Sequence, residues 1–364
     1  MIVRLAASPP RPVVCDVAMF YAAHGGGIRT YLDEKRRYAE ATGAFEHHLI
    51  VPGRRHRSDP GRHELASLRV VAANGYRLPF GVSSLKHTLT RLAPDFVLLH
   101  DPFWRPSEVA RAAHRLGAKV IAVHHASPAL NAASLPGPQL VYLPVLKRVY
   151  RHAYEDVDAV MSAVDSAHDC GRAAQLPLLF GLDPAFRPGP ALPGEHLLFA
   201  GRLSLEKRVC DLLDAAAAAA WKPHVWLVGD GPARGALEHR AARLGITSRV
   251  RFVPFESDRR RLAQLYRGAA CVVAPGPHET FGLTVLEAAA SGARVVACSS
   301  TPAAALAGPL VETFEPKDPG DLLRAIEASL ASGRDAAAAA DLARRYTWRR
   351  AFEDELAGML ALPA

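Results

Sequence analysis

The chain lacks the cysteine pattern of a disulfide or zinc framework. Its five cysteines, Cys15, Cys170, Cys210, Cys271 and Cys298, are odd in number and widely spaced, and no C-x-x-C pair occurs. Such usage fits reduced thiols in a cytoplasmic protein. No stretch approaches the roughly 18 to 20 apolar residues of a membrane span. The segment from Met1 to Pro12 has no continuous apolar core of the kind a secretory signal carries. A cytoplasmic location is therefore expected, with any membrane contact peripheral and at the inner face. Helix-turn-helix and RNA-binding signatures are missing, and the basic stretches have no interleaved aromatics, which argues against nucleic acid. The G-x-G-x-x-G fingerprint is missing too. Gly25-Gly26-Gly27 has no later glycine, which argues against a dinucleotide-dependent oxidoreductase. No internal repeat of about 20 to 50 residues is visible.

What is present is ordinary globular material: 364 residues, 49% hydrophobic and 22% charged, a length that suggests two domains. The net charge is +8 and unevenly spread. Residues 1–185 hold 22 Lys and Arg against 16 Asp and Glu, the remainder 22 against 20. Arg54, Arg55, Arg57 and Arg62, with His56 and His63, form the densest basic segment. It reads either as contact with anionic lipid headgroups or an anionic acceptor, or as a solvated loop.

Short apolar runs alternate with helical stretches. Val13–Met19, Leu49–Val51, Phe96–Leu99, Val120–Val123 and Asp158–Ser162 read as strands, with a helix over Ile28–Thr42 after a glycine turn. In the second half Leu197–Ala200, Val225–Val228, Val250–Val253, Cys271–Ala274 and Val295–Ala297 are strands, and Leu205–Ala220, Ala233–Leu244 and Asp258–Arg267 are helices. Alternation of this kind implies parallel sheets with crossover helices, whose ligands bind beyond the carboxyl ends of the strands. Phe180 to Pro190, rich in proline and glycine, reads as an extended linker.

The most informative stretch is Pro277-His278-Glu279-Thr280-Phe281-Gly282-Leu283-Thr284-Val285-Leu286-Glu287. A helix beginning near Gly282 leaves Glu279 in the preceding loop and Glu287 inside the helix. The N–H groups of Gly282, Leu283 and Thr284 then point out of the helix start as a phosphate site. A carboxylate for hydroxyls, an amide cradle and a deeper carboxylate suit a nucleotide-sugar. The stretch resembles the Glu-x7-Glu element of retaining glycosyltransferase family 4, the group 1 transferases. Companion motifs follow in the family's order: Gly201-Arg202-Leu203-Ser204-Leu205-Glu206-Lys207, Val228-Gly229-Asp230-Gly231-Pro232, and Phe252-Val253-Pro254-Phe255, similar to a base-contacting loop. The N-terminal half is similar only at Gly25-Gly26-Gly27-Ile28 and Val123-His124.

That resemblance implies an α/β fold of two Rossmann-like domains facing a cleft, the GT-B architecture. Residues 1–185 would bind the acceptor, 186–345 the nucleotide-sugar, and 346–364 would form a helix returning to the first domain. The implied reaction is transfer of a hexose, with retention, from a nucleoside-diphosphate sugar to a lipid or glycan acceptor in cell-envelope or glycolipid biosynthesis. No cofactor beyond the donor and no metal is expected. Asp156-Val157-Asp158 is the chain's one Asp-x-Asp, and it precedes a strand rather than following one. Arg202 and Lys207 are assigned to the diphosphate, Gly26, Gly27 and Gly201 to close backbone approach, and Phe255 to the base. Glu279 is assigned to sugar hydroxyls and Glu287 to the ribose. His124 is the choice for the reacting end of the sugar. His125 competes, because adjacent residues at a strand end point oppositely; two ordinary loop histidines are the plainer alternative. Asp16 and Asp101 fall where they could touch an acceptor, and the sequence does not decide it. A nucleotide-sugar epimerase or a phosphorylase on the same architecture, and a non-catalytic sugar-nucleotide binding protein, are the rival readings.

Overall fold

The computed structural model describes residues 11–19, 21, 27–69, 77–100, 104–125, 127–135, 139–163, 173–190 and 194–363. The chain divides into two compact units. The first comprises residues 1–125, 147–178 and 352–364, the second 126–146 and 179–351.

In the first unit the strands are β1 (Val13–Val17), β2 (Glu46–Gly53), β3 (Arg57–Asp59), β4 (Arg62–Arg69), β5 (Arg77–Pro79), β6 (Phe96–Leu99), β7 (Lys119–His124), β8 (Ala159–Ser162) and β9 (Ala174–Pro177). They form one sheet in the order β3-β4-β2-β1-β6-β7-β8-β9, with β5 paired to β4. The pairs from β4 through β9 are parallel; β3 and β5 join β4 antiparallel. Strand order reverses between β1 and β6, so the crevice of this sheet lies after those two strands. The inner strands are short and wholly apolar at most positions, as expected where both sheet faces are covered. Cys15, Val17, Val97, Leu99 and Val120 enter one core cluster from one face.

The basic segment is not a loop. Arg57 lies on β3, and Arg62 and His63 lie on β4. His63 is buried, close to Ser58 Oγ and 3.1 Å from His48 Nδ1. Burial lowers its pKa to about 4, with His48 and Arg91 adding to the effect, so it adds no charge at neutral pH. Arg57 pairs with Asp59 at 2.7 Å and Arg62 with Glu64 at 3.3 Å. Arg54 and Arg55 remain exposed.

The second unit has six parallel strands: β10 (His196–Ala200), β11 (His224–Val228), β12 (Val250–Val253), β13 (Cys271–Ala274), β14 (Val295–Cys298) and β15 (Val311–Phe314). Their order, β12-β11-β10-β13-β14-β15, is that of a doubly wound dinucleotide-binding fold. The switch point falls between β10 and β13. The helices, in chain order through both units, are α1 (Gly27–Thr42), α2 (Ser83–Leu92), α3 (Pro106–His114), α4 (Pro128–Ser134), α5 (Gln139–Ala153), α6 (Val209–Ala218), α7 (Arg234–Arg243), α8 (Arg259–Gly268), α9 (Leu283–Ala290), α10 (Pro302–Ala307), α11 (Pro319–Ala331), α12 (Ala336–Arg345) and α13 (Trp348–Leu360).

Two boundaries differ from the sequence reading. Phe180 to Pro190 is not a free linker, because Phe180, Leu182 and Phe186 are buried within the second unit. Phe180 packs on Phe281 with ring centroids 4.5 Å apart, and Phe186 on Tyr266. The second unit therefore starts before residue 185. The helix expected over Leu205–Ala220 is also broken. Leu205–Lys207 forms a 3-10 turn, Arg208 takes a left-handed conformation at φ 50°, and α6 starts only at Val209.

Candidate functional site

The broken helix sets the geometry of the second unit's crevice. Arg208 sits in a backbone region unfavourable for a side-chain-bearing residue. Its guanidinium grips buried Asp211 through two hydrogen bonds of 2.6 Å each. That bidentate pair holds the turn. Lys207, at its end, donates from Nζ to Glu279 Oε1 at 2.6 Å. The two side chains are 24% and 19% exposed, so the pair is sheltered yet reachable. Lys207 thus lies in the turn before α6 rather than inside the helix expected from Leu205.

Arg202 follows β10 and Gly201 directly. It is exposed and forms no ion pair among the described residues. The loop carrying it is stitched to the Gly229–Pro232 loop. Gly201 N–H donates to the Val228 carbonyl at 2.9 Å, Leu203 N–H to Asp230 at 3.0 Å, and Ala233 N–H to Leu203 at 2.9 Å. Gly229, at φ 135°, packs so closely that a Cβ there would overlap the Gly201 carbonyl oxygen. Close backbone packing is why glycine stands in both motifs.

Beyond β13 the chain turns through Glu279 and enters α9. Gly282 caps the helix at φ 91°, and a Cβ there would meet Thr301 Cγ2 at 2.5 Å. The N–H groups of Leu283 and Thr284 precede the first intrahelical acceptor. Thr284 Oγ1 is tied to the Ala200 carbonyl at 3.3 Å, which fixes this helix start against the end of β10. Arg202, Lys207, Glu279 and the start of α9 therefore stand at the carboxyl ends of β10 and β13, on either side of the switch point.

Glu287, one helical turn further, is buried. It accepts from Tyr266 Oη at 3.1 Å and lies 3.7 Å from an Arg259 nitrogen. Burial raises its pKa from the ordinary 4.5 to about 7, against the opposing pull of Arg259 and Tyr266. Phe255, past the end of β12, is 57% exposed, an uncovered aromatic face.

In the first unit Gly27 begins α1 and is exposed; Gly26 and Asp101 lie outside the described residues. His124 ends β7 and is buried, its Nδ1 2.8 Å from Tyr154 Oη and its ring against Tyr150. His125, just past the strand and only partly covered, turns the other way. Its Nε2 is 2.7 Å from His100 Nδ1, and His100 Nε2 is 2.7 Å from Asp16 Oδ1. Asp158 Oδ2 accepts from Val120 N–H at the start of β7, so the Asp-x-Asp sits at the amino ends of the strands.

A profile of the group 1 glycosyl transferases matches residues 194–332. The GDP-mannose-dependent alpha-(1-6)-phosphatidylinositol dimannoside mannosyltransferase of Mycobacterium tuberculosis is 31% identical over 308 residues, covering 78% of each chain. The chain belongs to the group 1 glycosyltransferases of family 4. The D-inositol 3-phosphate glycosyltransferase of Mycolicibacterium vanbaalenii is 30% identical to this glycosyltransferase over 310 residues, 72% of this chain and 66% of the relative. Its fold is GT-B. Sucrose-phosphate synthase from Thermosynechococcus elongatus superimposes with a TM-score of 0.76 at 18% identity, covering 96% of this chain and 98% of that one. Anabaena HepE, solved with UDP-glucose, gives 0.71 at 17%, covering 96% and 99%.

Sequence reasoning named the motif residues but not the side chains that hold them. Asp211, Arg208, Tyr266 and Arg259 lie outside the quoted motifs. One signal was available in the first unit. Asp16 is a carboxylate in the middle of an apolar strand, and such a group is tolerated only with partners.

Proposed function

We propose that the second unit binds a nucleoside-diphosphate hexose and that the enzyme transfers the hexose, with retention and without a metal, to a lipid or glycan acceptor. The carrying observation is the sheltered Lys207–Glu279 pair with exposed Arg202 and the open amides of α9, at the switch point of a doubly wound sheet. The leaving diphosphate gains charge as its bond to the anomeric carbon breaks. Fixed cations and amides aimed at that oxygen supply the stabilisation. In a front-face reaction the acceptor oxygen bonds the anomeric carbon on the side the phosphate leaves, and the leaving phosphate oxygen takes the acceptor's proton. No general base is then needed. Glu279 would hold sugar hydroxyls, neutral or ionised Glu287 the ribose, and Phe255 the base. We keep His124 as the choice for a sugar hydroxyl and His125 as its competitor; both rings are engaged, His124 by Tyr154 and Tyr150 and His125 by His100 and Tyr31.

The first choice of donor is GDP-mannose and the first choice of acceptor an inositol-containing lipid or phosphate, after the names of the two relatives. Peripheral contact with an anionic membrane fits Lys147, Arg148 and Arg151 of α5, which are exposed. Among the described residues no helix is long and apolar enough to cross a membrane.

The test is thermal stabilisation by GDP-, UDP- and ADP-sugars, followed by mass analysis of products formed from a lipid extract. Addition of one hexose with an α linkage supports the reading. Conversion of the donor sugar without an acceptor would favour an epimerase instead.

A further inference from the structure

The second unit carries a cationic groove apart from the residues assigned to the donor. Two adjoining cavities, of about 600 Å³ and 630 Å³, are formed by residues 183–190 and by helix α8 with its cap. Arg187 and Arg260 line both cavities, Arg259 only the first and Arg267 only the second. Arg202, Lys207, Glu279 and Glu287 line neither. The walls are fixed to each other. Phe186 packs on Tyr266 of α8, and Arg267 donates from a terminal guanidinium nitrogen to the Arg187 carbonyl at 3.0 Å.

Two carboxylates share the first cavity, and both are engaged by backbone. Asp183 Oδ1 accepts from Ala185 N–H at 2.8 Å. Asp258, the cap of α8, accepts from Arg260 N–H at 2.8 Å and from Arg261 N–H at 3.4 Å. Arg187 and Arg260 are exposed and form no ion pair among the described residues. Arg267 forms none there either, and its Nε is buried without a hydrogen-bond partner among them. Burial first, and then the charge of Arg187, push its guanidinium below the ordinary value. Arg259 and Arg260 stand in the first turn of α8, where the helix dipole is positive and cations are unfavourable. An anion in the groove would offset both the dipole and the mutual repulsion of the arginines. The guanidinium fork matches pairs of phosphate oxygens. A ligand that reaches Arg259 in one cavity and Arg267 in the other needs negative groups at both ends.

We propose that this groove is a second anion site, separate from the donor crevice, for a small molecule carrying two or more phosphate groups. Arg187 and Arg260 hold the middle of the ligand, and Arg259 and Arg267 its two ends.

Titration calorimetry with inorganic tripolyphosphate in magnesium-free buffer, with and without saturating GDP, is the test. Protein already holding GDP should take up one equivalent of tripolyphosphate. Inorganic monophosphate should bind about 10-fold more weakly, because it forfeits a charge-assisted contact at one end. Arg187→Ala and Arg260→Ala should each weaken tripolyphosphate binding about 10-fold, as for one such bond, and leave GDP affinity and the melting temperature unchanged. Arg187→Gln and Arg260→Gln stand in for either variant that does not melt cooperatively. Tripolyphosphate that binds only when GDP is absent would merge the groove with the donor crevice and overturn the proposal. Undiminished binding in both variants places the anion elsewhere and does the same, and equal affinity for monophosphate refutes the two-phosphate ligand. Phosphatidylglycerol vesicles that bind through Arg187 and Arg260 where tripolyphosphate does not would make the groove a membrane contact instead. If the protein takes up no GDP at all, the titration without nucleotide reads the same variants, so the groove is judged apart from the proposed transfer chemistry.

Discussion

At the scale of single residues, the two cations of the crevice differ in what their loss leaves behind. Lys207 is already paired with Glu279, so Lys207→Ala strands a carboxylate beside the incoming diphosphate. Arg202 has no such partner among the described residues, and Arg202→Ala removes attraction only. Lys207→Ala should weaken GDP binding by about 2–4 kcal/mol and Arg202→Ala by less. Changing Glu279 to Gln in the Lys207→Ala background should recover part of the loss. Titration calorimetry checks this, and a second change that recovers nothing would separate Glu279 from the diphosphate. Glu287 gives a prediction in pH. Its folded pKa, about 7, lies above the ordinary 4.5. Between those values the folded chain holds a proton that the unfolded chain releases, so this group's contribution makes stability fall as pH rises through the window. Glu287→Gln keeps an acceptor for Tyr266 and removes the titration. It should raise the melting temperature at pH 8 more than at pH 5, a differential on the order of 2 kcal/mol. Equal shifts at both pH values would show that the carboxyl is not titrating there.

At the scale of elements, the 3-10 turn at Leu205–Lys207 shows what periodicity could not give. The run from Leu205 to Ala220 is strongly helix-forming, and local propensity favours one continuous helix. The Arg208–Asp211 pair overrides it by fixing Arg208 in the left-handed region, and this side-chain hydrogen bonding has no signature in apolar spacing. Asp211→Ala should cost about 2 kcal/mol of stability through the lost charge-assisted bonds. It should also reduce donor affinity several-fold without touching the donor, because Lys207 is no longer held. Undiminished affinity at lowered stability would show that the turn does not position Lys207. Strands β3 to β5 escaped for a related reason. Their arginines and histidines mask the alternation, and His63 faces inward where its charge suggested outward. By contrast, β10, β11, β13 and β14 were legible because burial on both faces writes them as unbroken apolar runs.

At the scale of the whole molecule, the order of motifs along the second half was legible because each follows a strand of one parallel sheet. The choice between His124 and His125 was not, since neighbouring side chains at the end of β7 diverge, one toward Tyr154 and the other toward His100. Transfer should survive excess EDTA if Arg202, Lys207 and the α9 amides carry the neutralisation alone. Loss of activity with rescue by magnesium or manganese would reject that mechanism. The interlocked loops after β10 and β11 have a further consequence. Their amides at Gly201, Leu203 and Ala233 are bonded across loops, so they should exchange with deuterium as slowly as strand amides, before any donor is added. A binding surface with that protection gives up little conformational entropy when occupied. Donor affinity would then be governed by the contacts made, and isotope labelling with and without nucleotide should differ little there.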